Sequence, residues 1–344
     1  MHELVGSRSV AARLCLPFEL GYGRWTGVRE RHALPGNASY YSVEANASWT
    51  VFSNCKVSSF SKPFQLAPRL RNRNASIVLV GDSRMRASYQ TMLQLLEGKD
   101  ETSIDPVEAL QAHEVTRAAC KKDLSNVTRT SGYKRRSICF GLCSCGNQAG
   151  GVDVSFVWAT EWHSTVQQDR LSKVIFDTAG AADPAREVTV VISVGLEVAW
   201  KQQERGLLTV LQQVDGLLHF LGALPPNVHA IYQMAPHAQR FGPAPGQLYQ
   251  DDFQAAQDGL IRALVSTTPA SQRVPVVDVR MLTQQRVDCY DRNHCAGATQ
   301  QVIIQAWMHL VLNWDELRSG SLREFDEANT REHWECHKTR DCEN

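Results

Sequence analysis

From residue 76 to residue 279, short apolar β-forming runs alternate with stretches of helical periodicity, and no other feature limits the possible folds as strongly. The runs are SIVLV at 76–80, VDVSFVWA at 152–159, EVTVVISV at 187–194, VHAIYQMA at 228–235 and VPVVDV at 274–279, with helical patterns at 84–97, 204–222 and 251–265. A strand rich in Val and Ile along its whole length is one buried on both faces. Strands separated by helices call for crossover connections, hence a parallel sheet with helices on both sides: an α/β three-layer sandwich. At 344 residues and 43% hydrophobic, the chain can bury one large core. That core is expected over 75–318.

Two appendages flank it. Residues 1–74 are rich in aromatics, Ser, Asn and Gly without clear periodicity, and are expected to be irregular, packed on the core and stapled by Cys15 and Cys55. Residues 319–344, GSLREFDEANTREHWECHKTRDCEN after Ser319, are charged and have little to bury, so Cys336 and Cys342 are expected to tie them down. Neither repeats nor low-complexity tracts interrupt this plan.

Lys and Arg together number 36, as do Asp and Glu, so no net field favours nucleic acid or an anionic membrane. The ten cysteines (15, 55, 120, 139, 143, 145, 289, 295, 336 and 342) form an even set, accompanied by Asn-x-Ser/Thr sequons at Asn37, Asn46, Asn74 and Asn126. Together they point to an oxidising, glycosylating compartment, the secretory lumen or the exterior. The cluster Cys139, Cys143 and Cys145 lacks the paired C-x2-C arms of a structural zinc site and has no nearby His, so disulfides are favoured and no metal is expected. VTVVISVGLEVAW is too short for a membrane span and contains Glu197. The first twenty residues lack the sustained apolar centre of a signal peptide, so an anchor or signal outside this chain is expected.

The first core strand runs into Gly-Asp-Ser and then into a helix: SIVLVGDSRMRASYQTML. In a parallel sheet that turn lies at the carboxyl edge, where ligands bind. Gly81 suits a tight turn, and Ser83 falls at or beside the helix N-cap. Either Asp82 or Ser83 simply caps the helix, or the Ser83 hydroxyl faces a ligand. A second segment, VDCYDRNHCAGATQQVIIQAWMHLVLNW, places Asp291 and His294 three apart just before the last helix. A hydroxyl becomes a nucleophile when a base takes its proton; imidazole suits neutral pH, and a carboxylate orients it. The plain alternative is a surface His294 between Cys289 and Cys295, with Asp291 as a cap. Those two cysteines are expected to hold the loop through disulfides, to each other or to distant partners.

GDSRMR, with Arg86 three residues after the serine, and DRNHC resemble motifs of the SGNH/GDSL hydrolase superfamily, specifically its PC-esterase group. That group includes the plant trichome-birefringence-like polysaccharide O-acetyltransferases and the lumenal domain of the sialic acid O-acetyltransferase. GRW (Gly23, Arg24, Trp25) and VDVSFVWATEW are similar to further stretches of the group. The resemblance implies an SGNH-hydrolase-like fold with Ser83 as nucleophile, His294 as base and Asp291 as its partner. Where the family carries an Asn or His beside a Gly, this chain has Ser193 and Gly195, so the oxyanion is expected to rest on the backbone N–H groups of Ser83 and Gly195, with Arg86 adding charge.

The activity so implied is O-acetyl transfer to a carbohydrate hydroxyl through an acyl-enzyme. No bound cofactor is expected; an acetyl donor, acetyl-CoA or another acetyl ester, would be co-substrate. A carbohydrate or small-ester hydrolase uses the same parts, and a non-catalytic glycan-binding domain would keep only the fold. Glu161, Trp162 and His163 form a candidate sugar-facing loop, although Trp162 could equally pack in the core. His237, in a Pro- and Gly-rich stretch after the fourth run, is a further candidate.

Overall fold

The structure, a computed structural model, describes residues 3–5, 13–17, 19–31, 40–53, 55–58, 65–98, 144–159, 171–193, 206–234, 236, 259, 274–284, 295 and 297–317. Its centre is strand β4 (Ala75–Gly81), in which all seven residues are buried. Parallel neighbours flank it: β6 (Val152–Trp158), in register Gly81 to Trp158, and β7 (Glu187–Ser193), in register Gly81 to Ser193. Beyond β7 come β8 (Val228–Gln233) and the short β9 (Val276–Val277), also parallel. The outer strand on the other side, β5 (Ser144–Ala149), runs antiparallel to β6, giving the order β5-β6-β4-β7-β8-β9.

The period of two along β4 divides the core between the two faces of the sheet. Ile77 and Leu79 join Met85, Tyr89 and Met92 of helix α2 (Ser83–Leu96), together with buried residues 302–304 and 306–308 of a later helix (Gly297–Leu312). Val78 and Val80 face the opposite layer, with Val214, Leu217 and Leu221 of helix α3 (Gly206–Gly222). The chain is thus an α/β sandwich with helices on both faces of a mostly parallel sheet. Two further helices are α1 (Leu66–Asn72), which leads into β4, and α4 (Arg280–Gln284), which follows β9. The helix Gly297–Leu312 is α5. It is buried from end to end, polar positions included, because it lies between α2 and the N-terminal region.

That N-terminal region is more regular than its composition predicts. Strands β1 (Glu3–Val5), β2 (Gly23–Arg31) and β3 (Tyr40–Val51) form a second sheet in the order β1-β3-β2. Ser and Asn interrupt the apolar alternation of β3, which is why it reads as irregular; pairing along both edges of this strand supplies the regularity. Register slips between Thr26 and Val28, where Gly27 has φ +69°. The GRW triplet has a structural use here. A Cβ on Gly23 would lie 2.3 Å from the Thr50 carbonyl oxygen, and Trp25 stacks edge-on against Trp49 with ring centroids 5.8 Å apart. Both indoles are buried and satisfied: Trp25 Nε1 donates to the Leu282 carbonyl (3.1 Å) and Trp49 Nε1 to that of Leu20 (3.0 Å).

The expected staple is present as the Cys15–Cys55 disulfide. Next to it, His309 of α5 is fully buried. Its Nδ1 accepts from the Ser58 backbone N–H (2.9 Å), so Nε2 carries the proton and donates to the Cys15 carbonyl (2.9 Å). Glu19 is also buried, gripped at 2.7 Å by both terminal nitrogens of Arg13 and at 2.7 Å by the Leu16 N–H. Among the described residues no helix is long and apolar enough to cross a membrane. The helical pattern at 251–265 falls almost wholly outside the described residues, as do 319–344.

Candidate active site

The site is built where β4 ends. Gly81 is there for space: a Cβ would sit 2.6 Å from the Ser193 carbonyl oxygen and 2.8 Å from Met85 Cβ, too close for any side chain. The next residue, Asp82, is the N-cap of α2. It has an extended backbone, and its Oδ1 accepts from the Arg84 N–H at 2.8 Å. Ser83 is therefore the first residue of the helix rather than its cap. Of the two roles open to Gly-Asp-Ser, capping belongs to the aspartate, which leaves the half-buried Ser83 at the carboxyl edge of the central strand.

Asp82 does a second job. The Arg84 side chain folds back on it, Nε donating to Oδ1 at 3.1 Å and Nη2 pairing with Oδ2. Both residues are buried, so the pair is a small desolvated ion cluster on either side of Ser83 along the chain. Arg84 Nη1 is buried and has no hydrogen-bond partner among the described residues.

Arg86 is 3% exposed, and its guanidinium carbon lies 5.1 Å from the centroid of the Trp158 ring, a cation–π contact. Trp158 closes β6 beside Gly81, and the strand-end bond from the Ala159 N–H to the Gly81 carbonyl (2.9 Å) holds the two ends together. The indole packs edge-on against Phe156 (6.2 Å, 88°), and Phe156 lies 5.8 Å from Tyr89. Burial pushes the Tyr89 hydroxyl up to about 12, so the phenol stays neutral. Arg86 is thus a buried cation one helical turn from Ser83, set against the Trp158 ring.

Ser193 ends β7 opposite Gly81 and is 8% exposed, so β4, β6 and β7 bring Ser83, Trp158 and Ser193 to one edge of the sheet. Gly195, Glu161, Trp162, His163 and His237 lie outside the described residues, as do Asp291 and His294. The residue that follows His294, Cys295, is described: it is buried and in a disulfide, as expected for at least one cysteine flanking that loop. Cys289 lies outside. Of the sequons, Asn74 is exposed, with φ +48° and its side-chain amide donating to the Ala185 carbonyl (3.3 Å). Asn46 lies on β3, and Asn37 and Asn126 are outside the described residues. No group of three His, Cys, Asp or Glu residues suited to a metal occurs among the described residues.

Trp158 and the Asp82–Arg84 pair escape a reading of the sequence. The indole is visible only as the last letter of a strand, with Trp162 the more conspicuous ring, and an i to i+2 ion pair has no helical spacing to betray it.

No family model matches this chain, and no curated protein matches it. Among solved structures it is similar to an alpha/beta hydrolase enzyme from the metagenome of Lake Arreo, Spain, at 16% identity over 70% of this chain and 94% of that one, TM-score 0.32. It is also similar to an acetylxylan esterase from Geobacillus stearothermophilus at 10% identity over 70% and 95% of the two chains, TM-score 0.31.

Proposed function

We propose that the protein is a serine acyl-transfer enzyme of the PC-esterase kind that moves an acetyl group onto a carbohydrate hydroxyl. One observation carries the reading: the serine of Gly-Asp-Ser stands at the carboxyl edge of the central parallel strand with its capping duty taken over by Asp82. In this scheme His294, oriented by Asp291, takes the Ser83 hydroxyl proton as the oxygen attacks the acetyl carbonyl. The tetrahedral oxyanion rests on backbone N–H groups of Ser83 and Gly195, near Ser193, with the Arg86 charge behind them. Collapse expels the donor's leaving group, which takes the proton from His294, and leaves an acetyl ester on Ser83. A sugar hydroxyl, deprotonated by the same imidazole, attacks that ester and restores the serine.

The desolvated position of Arg86 supports this role, because a charge in a poorly solvated wall acts on a developing oxyanion more strongly than one in water. The donor would be acetyl-CoA or another acetyl ester, and the compartment lumenal or extracellular, in keeping with the Cys15–Cys55 disulfide. Candidate acceptor contacts are Glu161, Trp162, His163 and His237.

Water competes at about 55 M, so transfer requires an acceptor held in attack geometry; oriented groups reach effective concentrations of roughly 10⁵ M or more. The test supplies an acetyl ester, follows acetate release, and adds oligosaccharides one at a time. Acetylated glycan formed at the expense of free acetate is the expected result. Fast release that no glycan in a broad panel diverts makes the protein a hydrolase and ends the transferase reading.

A further inference from the structure

We propose that Gln300 is a positioning residue that ties the helix carrying the nucleophile to the Cys295 backbone, one residue along the chain from its base. This rests on the reading of Ser83 and His294 as that pair. Gln300 lies in the first turn of α5, and both ends of its amide are used. Oε1 accepts from the Ser88 hydroxyl at 2.6 Å, and Nε2 donates to the Cys295 carbonyl at 2.9 Å. All three residues are buried.

The placement of the two partners gives the link its meaning. Ser88 is five residues beyond Ser83 on the same helix, and a helix is stiff over one and a half turns, so holding Ser88 holds the start of α2. Cys295 is covalently next to His294 in sequence, and is itself buried and disulfide-bonded. One side chain therefore joins the nucleophile's helix to the Cys295 backbone through contacts that are buried at both ends. The chemistry of the position is restrictive: it needs an acceptor facing α2 and a donor facing the Cys295 carbonyl. Glutamate lacks the donor and leucine lacks both.

A contact that only stiffened the fold would change the fraction folded and leave turnover per folded molecule alone. A contact that sets reacting geometry changes kcat with little effect on KM, since a displacement of about 1 Å can lower a rate by roughly 100-fold. The test uses the full chain, 4-nitrophenyl acetate as probe, and the variants Gln300→Leu, Ser88→Ala, their double and Ser83→Ala, each with its melting temperature. We expect kcat to fall about 10- to 100-fold in Gln300→Leu with KM within about twofold, a smaller fall in Ser88→Ala, and a double variant no worse than Gln300→Leu alone. Should Gln300→Leu fail to fold, Ser88→Ala decides. Wild-type kcat in the folded variants, with Ser83→Ala inactive, overturns the positioning role and leaves the serine reading standing. Turnover retained by Ser83→Ala removes both.

Discussion

Asp82 caps α2 and its neighbour Ser83 is the proposed nucleophile, and substitution separates them. Ser83 is not the cap, so Ser83→Ala should abolish turnover while shifting stability by less than the roughly 1 kcal/mol expected of a lost cap. Asp82→Ala removes the cap and also strands the Arg84 guanidinium in a buried site, a change that typically destabilises by about 3–5 kcal/mol. Denaturant titration of the two variants checks this: equal midpoints would mean that the Asp82–Arg84 pair does not carry the turn. At this scale the sequence is legible up to the tripeptide. Strand, Gly and helix announce a turn at the sheet edge, but Asp and Ser are equally good caps, and only the backbone shows which of them does the capping. Gly81 is required for a reason the sequence could not reveal, the approach of the Ser193 carbonyl from the next strand.

At the scale of elements, the junction between α5 and the N-terminal region is the acid-sensitive part of the fold. Burial lowers His309 from its ordinary 6.5 to about 4, outweighing the upward pulls of the Cys15 carbonyl and the Glu19 carboxylate. The unfolded chain thus takes up a proton near pH 6.5 that the folded chain refuses until about pH 4. Stability is full above pH 6.5 and declines as pH falls toward 4, by up to about 1.4 kcal/mol per pH unit. Glu19 extends the loss to lower pH: burial alone would raise its carboxyl, but Arg13 and the Leu16 N–H hold it below its ordinary value, so its contribution disappears on protonation. His309→Gln should flatten the urea midpoint between pH 7 and pH 5; an unchanged slope would place the titration elsewhere. The disulfide in the same junction closes a sequence separation of 40 residues, and chain entropy assigns it about 4 kcal/mol. Replacing Cys15 and Cys55 together by Ser should lower the melting temperature accordingly, and a change under about 1 kcal/mol would contradict the stapled junction. The cysteine pair is readable in the sequence. The small sheet it anchors is not, because the partners of β3 come from both before and after the staple's first cysteine, and long-range pairing overrides a Ser- and Asn-rich composition.

Over the whole molecule, the alternation of apolar runs and helical patterns is enough to give the sandwich, since β4, β6, β7 and β8 are buried on both faces and carry that burden in their Val and Ile content. Strand β5, SCGNQA, has no such content and pairs antiparallel with β6 as the outer strand of the sheet, so nothing in its letters marks it. The site divides in the same way. Ser83 can be proposed from sequence because a turn motif is local; Trp158 and Gln300 have their partners on other elements, and Gln300 reaches Ser88 across 212 residues. The central claim is that an acyl group rests on Ser83 during turnover, whatever accepts it afterwards. The most direct measurement is to mix the protein with 4-nitrophenyl acetate, quench in acid within the first turnover, and map the acetyl group by mass spectrometry. The account predicts one acetyl per chain on Ser83, in the peptide that contains GDSRMR, and none in Ser83→Ala. Acetyl accumulating at another residue, or turnover that continues in Ser83→Ala, would contradict it.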